Sequence, residues 1–159
     1  MKPRIIYCGG REYSNGIAVL NMIEMMESIY GDHEIVHGDA KGADRLAGYC
    51  GTLAKMQVLP VPADWDTLGK RAGTVRNRAM LDLPGVVAVC AFPGGVGTAH
   101  MTGIAQLRKG VQVFEYRGDV ILALDLPTHA GYVVNIEIWN GETPWPTSTK
   151  QRQPSSAMI

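Results

Sequence analysis

The chain has 159 residues, and its 15 basic and 15 acidic side chains cancel to a formal net charge of zero. That length suits one domain with a full hydrophobic core, and the neutral balance argues against broad nucleic-acid binding, which draws on a basic surface. The three cysteines, Cys8, Cys50 and Cys90, are too few and too scattered for a disulfide framework or a zinc site. No apolar run approaches the roughly 20 residues of a membrane span, and the opening Met-Lys-Pro-Arg carries no apolar signal core. The expectation is a protein of the reducing cytoplasm with no membrane, metal or cofactor dependence.

Residues 4–8 read as a first strand, followed by the turn Gly9-Gly10-Arg11-Glu12 and an amphipathic helix over 17–30. Met22, Met25 and Met26 in that helix are expected in the core or at an interface between copies. A second strand over 34–37 runs into His37-Gly38-Asp39-Ala40-Lys41-Gly42, and a helix follows from about 43 to 55. Residues 57–61 form a third strand, and a polar connection over 62–66 leads to a helix over about 72–83. Trp65, in that connection, is open to two readings, stacking on a base or covering a helix. The fourth strand, 86–92, is short, continuous and rich in β-branched residues, as buried strands are. Pro93-Gly94-Gly95 ends it, Gly97-Thr98 is read as the cap of a helix over 98–109, and 111–116 form a fifth strand.

Alternation of this kind implies right-handed crossovers and a parallel sheet covered on both faces, an α/β Rossmann-like three-layer sandwich ordered 3-2-1-4-5. After Arg117 the pattern changes: 119–126 and 132–139 read as two further strands extending the sheet edge. Residues 141–159, rich in Pro, Thr, Ser and Gln, read as an extended or disordered tail. The expected organisation is therefore 1–118 as the main domain, 119–140 as its extension and 141–159 as the tail.

Three strand ends carry glycine-rich turns that open helices, and in an open parallel sheet such turns share the carboxyl edge where ligands bind. Glycines let backbone N–H groups approach a ligand, and a helix N-terminus adds unpaired donors with a positive dipole end. The expected binding residues are Gly9, Gly10 and Arg11 in the first loop and Gly38, Asp39, Lys41, Gly42 and Asp44 in the second. Pro93, Gly94, Gly95, Gly97 and Thr98 form the third group, and Arg76 and Asn77 join them from one face of the preceding helix. An arginine there can reach phosphate bidentately, and a carboxylate at a strand end can hold ribose hydroxyls. The alternative for Asp44 is capping its helix and that for Lys41 and Arg45 is being solvated charges, while His37 and His100 read first as structural.

The blocks GGREY, HGDAKGADRLA, PADWDTLGKRAGTVRNRAM and FPGGVGTAHM resemble the YspA-type branch of the SLOG superfamily, over about residues 5–116. That superfamily includes the lysine-decarboxylase-like (LOG) phosphoribohydrolases and the DNA-processing protein DprA. The resemblance implies a Rossmannoid domain that binds nucleotides or molecules derived from them, such as ADP-ribose-like compounds or cyclic and linear oligonucleotide signals. It also implies a role in sensing or sequestering a signal in conflicts between bacteria and phages, an origin in a bacterium or a phage, and assembly as a homo-oligomer. One departure bears on catalysis. Where the phosphoribohydrolases carry a glutamate after the glycine-threonine pair, this chain has Met101, and a thioether cannot move a proton. Hydrolysis of an N-glycosidic or phosphoester bond would then fall to Asp39, Asp44 or Glu12. Single-stranded DNA binding, by analogy with DprA, is disfavoured by the neutral composition.

Overall fold

A computed structural model describes residues 1–118, 120–124 and 134–135. Strands β1 (Arg4–Cys8), β2 (Glu34–His37), β3 (Val58–Pro60), β4 (Val86–Ala91) and β5 (Gln112–Arg117) alternate with helices α1 (Gly16–Tyr30), α2 (Ala43–Leu53), α3 (Trp65–Leu68), α4 (Ala72–Leu81) and α5 (Val96–Gln106). Strands β6 (Val120–Leu124) and β7 (Val134–Asn135) follow. The sheet runs β3-β2-β1-β4-β5-β6-β7. Its first five strands pair in parallel, in the order the alternation predicts, with Ile5 opposite Ile35 on one side and Ala88 on the other. β6 and β7 add to the β5 edge as antiparallel strands. The expected extension is thus present at 120–124 and 134–135, while the rest of it and the expected tail at 141–159 lie outside the described residues.

The central strand shows why the sequence pattern was continuous and not alternating. Ile5, Ile6 and Tyr7 are all without solvent exposure, because both faces of β1 are covered. Ile5 and Tyr7 pack with Val19, Met22, Met26 and Ala47 of α1 and α2. Ile6 and Cys8 pack on the other face with Met80, Leu81, Met101 and Ala105 of α4 and α5. Two cores on one sheet make the three-layer sandwich. No helix among the described residues is long and apolar enough to cross a membrane.

Two local expectations are corrected and an open one is decided. The connection after β3 contains a helix: the Asp64 carboxylate accepts from the Thr67 N–H at 3.1 Å and caps α3, which passes through a 3-10 turn at Gly69–Arg71 into α4. α5 begins at Val96, with Gly95 as its cap residue and no side chain bonded there, so Thr98 lies in the first turn and does not cap it. Met22, Met25 and Met26 are fully buried inside the protomer, which removes them from any interface and leaves Ile17 and Leu20 as the exposed apolar residues of α1. Truncating a side chain in that core leaves a cavity. Met25→Ala is expected to cost about 2–5 kcal/mol in urea unfolding, whereas Leu20→Ala stays within about 0.5 kcal/mol; equal losses would contradict this placement.

Candidate functional site

The carboxyl edge of the sheet is built on contacts between loop backbones. The Gly10 N–H donates to the Pro93 carbonyl at 2.8 Å, and the Gly10 carbonyl accepts from the Ala43 N–H at 3.1 Å. The β1 loop is thereby fastened to both the β4 loop and the start of α2. The approach leaves no room for side chains: a Cβ on Gly10 would lie 2.8 Å from the Pro93 oxygen, and one on Gly42 would lie 2.2 Å from the Gly10 oxygen. Gly42 also sits at φ +80°, where a glycine is favoured. Gly9 and Gly94 serve the same packing, Gly9 against Ala43 and Gly94 against Thr98. Gly95 and Gly97 differ: a Cβ at either would meet open space, and Gly95, at φ −100°, needs no left-handed backbone.

In the β2 loop, the Asp44 side chain is almost fully buried and turns back to accept from the Gly38 N–H at 2.8 Å and from the Ala40 N–H. It holds the loop in shape from the first turn of α2, whose cap residue is Gly42. Asp39 stands at φ +54°, a left-handed position that aspartate tolerates better than most residues. Its N–H donates to His37 Nδ1 at 3.1 Å, and its carboxylate pairs with Arg45 at 3.2 Å. Burial holds the His37 imidazole below its ordinary value and therefore neutral, as an accepting Nδ1 requires, with Asp39 opposing that shift.

From α4, the Arg76 guanidinium donates to the Gly38 carbonyl and to Asn77 Oδ1. Asn77, buried, donates from Nδ2 to the Gly97 carbonyl at 3.2 Å and lies 3.1 Å from His100 Nδ1. α4 thus anchors the β2 loop with one residue and the first turn of α5 with the next.

Two cavities open on this edge, one on each side of the Gly10–Pro93 contact. The first, about 280 Å³, is walled by Arg11, Gly38, Asp39, Lys41, Arg45, Trp65 and Arg76. The second, about 370 Å³, is walled by Pro93, Gly94, Gly95, Thr98 and Thr102, with Glu115, Tyr116 and Arg117 from the end of β5. Of the residues singled out in the sequence, Gly9, Gly42, Asp44 and Asn77 shape the edge from behind, and Glu12 is exposed outside both cavities. Glu115, Tyr116 and Arg117 were not singled out. Their only signal was their place at the end of β5, on the same edge as the three loops. Met101 is fully buried among Ile6, Met80 and Ala105, on the core side of α5. Among the described residues, no group of three or more His, Cys, Asp or Glu side chains is arranged to hold a metal ion.

Burial pushes the Asp44 carboxyl up to about 6 from an ordinary 3.8, against the opposing pull of Arg76 and the two loop N–H groups. A proton then binds the folded state more tightly than the unfolded chain. The stability from this group is complete below the unfolded value and is lost as pH rises through about 6. Relative to Asp44→Asn, the wild-type protein is expected to gain about 2 kcal/mol between about pH 7.5 and about pH 4.5, read from urea midpoints. Parallel pH profiles for the two proteins would contradict it.

The chain resembles known proteins in sequence and in fold. A family model described as YspA, cpYpsA-related SLOG family matches residues 3–67. The Gene 61 protein of Mycobacterium phage D29 is 33% identical over 122 residues, covering 71% of this chain and 95% of that protein. DNA processing protein A (DprA) from Streptococcus pneumoniae superposes with a TM-score of 0.57 at 17% identity, over 74% of this chain and 51% of its own. This chain therefore spans about half the length of DprA, and at that identity the likeness is one of fold. With the ordered glycine loops, the parallel sheet and a phage relative matched almost end to end, the chain belongs to the YspA, cpYpsA-related SLOG family.

Proposed function

We propose that this protein binds a phosphate-bearing nucleotide, or a signal molecule derived from one, along the carboxyl edge of its sheet, and holds it without cleaving it. The observation that carries the reading is the start of α5. Its first turn has no side-chain cap and borders a cavity in which Gly95 presents bare backbone. Unpaired N–H groups at a helix N-terminus, with the Thr98 hydroxyl beside them, suit phosphate oxygens. Across the Gly10 contact, Arg11, Lys41 and Arg76 supply positive charge for further phosphates, and Asp39 supplies an acceptor for ribose hydroxyls. ADP-ribose-like molecules and short or cyclic oligonucleotides have this chemistry.

Binding without cleavage is supported by the state of the carboxylates. Asp44 is committed to two loop N–H groups, the two carboxylates in the cavity walls, Asp39 and Glu115, are ion-paired with Arg45 and Arg117, Glu12 lies outside both cavities, and Met101 stands where the resemblance sets the phosphoribohydrolase glutamate. The family resemblance and a phage relative favour a sequestering or sensing role in conflict between bacteria and phages, where binding alone removes or registers a messenger. Single-stranded DNA is a weaker reading, since the chain is neutral overall. A homo-oligomer belongs to the proposal, because Ile17 and Leu20 on α1 and Tyr49 and Leu53 on the neighbouring α2 are exposed apolar surface.

Native mass spectrometry of freshly purified protein tests the proposal without prior choice of ligand. The wild-type protein is expected to carry a phosphate-bearing small molecule of unaltered mass over time, on a dimer or larger assembly. Gly95→Val is expected to keep the fold, since its Cβ meets open space, yet to lose the adduct and to weaken added AMP or ADP-ribose at least tenfold, about 1.4 kcal/mol. Equal occupancy and equal affinity in that variant would refute the proposal.

A further inference from the structure

Trp65 stands in the wall of the β2-side cavity in a way that core packing does not explain. It is the first residue of α3, fixed by the Asp64 cap. One edge of its ring rests on α4 at Gly73, where an added Cβ would lie 3.4 Å from Cη2. A tryptophan kept to cover that helix would hide most of its surface, but Trp65 remains 48% exposed. The Arg11 guanidinium, a planar cation, lies 5.8 Å from the ring centroid. Arg11 is itself exposed, so the indole face is covered by a long, solvated side chain that can move aside.

The rest of the cavity wall carries Lys41, Arg45 and Arg76 against the single carboxylate of Asp39. Arg45 is paired with that carboxylate, and Arg76 lies against the buried Asp44 carboxylate and donates to the Gly38 carbonyl, which leaves Arg11 and Lys41 as an excess of positive charge. A flat π-surface beside unbalanced cations matches a ligand with a heteroaromatic ring at one end and an anion at the other. We infer that Trp65 is the base-stacking platform of this protein: the base of a nucleotide lies on the indole face that Arg11 now covers, with its phosphate directed past Lys41 and Arg76 toward the start of α5. The ring is held by α3 and α4, so the platform exists before the ligand arrives, and stacking accepts any base because every base has a π-face. Discrimination between bases then falls to groups at the rim. The released Arg11 guanidinium stays within the same cavity wall, available to the phosphate.

This inference rests on the nucleotide reading above and is tested separately from it. The chain has three tryptophans, so a protein carrying Trp139→Phe and Trp145→Phe reports on Trp65 alone. AMP and UMP are titrated into it, with ribose 5-phosphate as the probe that has the phosphate but no base. Both nucleotides are expected to quench the indole emission saturably, and ribose 5-phosphate to leave it unchanged. In the otherwise wild-type protein, Trp65→Ala is expected to weaken AMP at least tenfold while ribose 5-phosphate stays within twofold, and Trp65→Phe to retain most of the AMP affinity. A structural role would lower both ligands together, so parallel losses overturn the inference. So does unchanged AMP affinity in Trp65→Ala. If the probes bind and depend on Gly95 while Trp65 gives no response, the stacking platform fails and the phosphate site stands. If neither nucleotide binds the wild-type protein, both fail.

Discussion

Everything at the carboxyl edge depends on the clasp made by one residue, Gly10. Its N–H reaches the Pro93 carbonyl and its carbonyl receives the Ala43 N–H, tying the ends of β1 and β4 to the start of α2. The clasp is possible because no Cβ intervenes at Gly9, Gly10, Gly42 or Gly94. Backbone hydrogen bonds of this kind contribute about 1 kcal/mol each, so their value is mainly geometric. They bring the β4 loop and the β2 loop to either side of a shared ridge, and each side becomes a cavity.

The two sides are coupled through α4. Arg76 bonds the β2 loop at Gly38, and its neighbour Asn77 bonds the first turn of α5 at Gly97. A displacement of α4 would therefore be felt in both cavities. Asp44 completes the support: a buried carboxylate that accepts loop N–H groups shapes the β2 loop at the cost of its own desolvation. Such groups set the geometry, and the groups that face the cavities include Arg11, Lys41, Asp39, Arg76, Gly95 and Thr98.

Much of this was legible in the chain itself. Runs such as Ile5-Ile6-Tyr7 are apolar at consecutive positions because both sheet faces are covered, and the alternation with helices, together with the right-handed crossover, narrows the strand orders. The glycine loops were legible as a group, but not the division of labour within them. Whether a glycine admits a ligand, as Gly95 can, or another loop's backbone, as Gly10 and Gly42 do, depends on what lies across from it, and no local pattern encodes that. The start of α5 was misplaced for a related reason. Thr98 has the chemistry of a cap, yet the backbone turns helical directly after Gly95. α3 was missed because a helix of Trp65–Leu68 is too short to show a period, although Asp64 three residues before Thr67 is a capping arrangement. Glu115, Tyr116 and Arg117 join the site only through the packing of β5 beside α5.

The central claim is that a nucleotide's phosphate is held at this edge by backbone amides of the glycine loops. Two-dimensional amide NMR of the full chain, titrated with AMP, reads that claim directly. The account predicts saturable shifts that are largest at Gly10, Gly95, Val96, Gly97 and Thr98 and include Gly38 and Asp39, with the amides at the opposite end of the sheet, around Lys2, Asp32 and Gly85, unmoved. Shifts centred on that opposite end, or none at the start of α5, would contradict it.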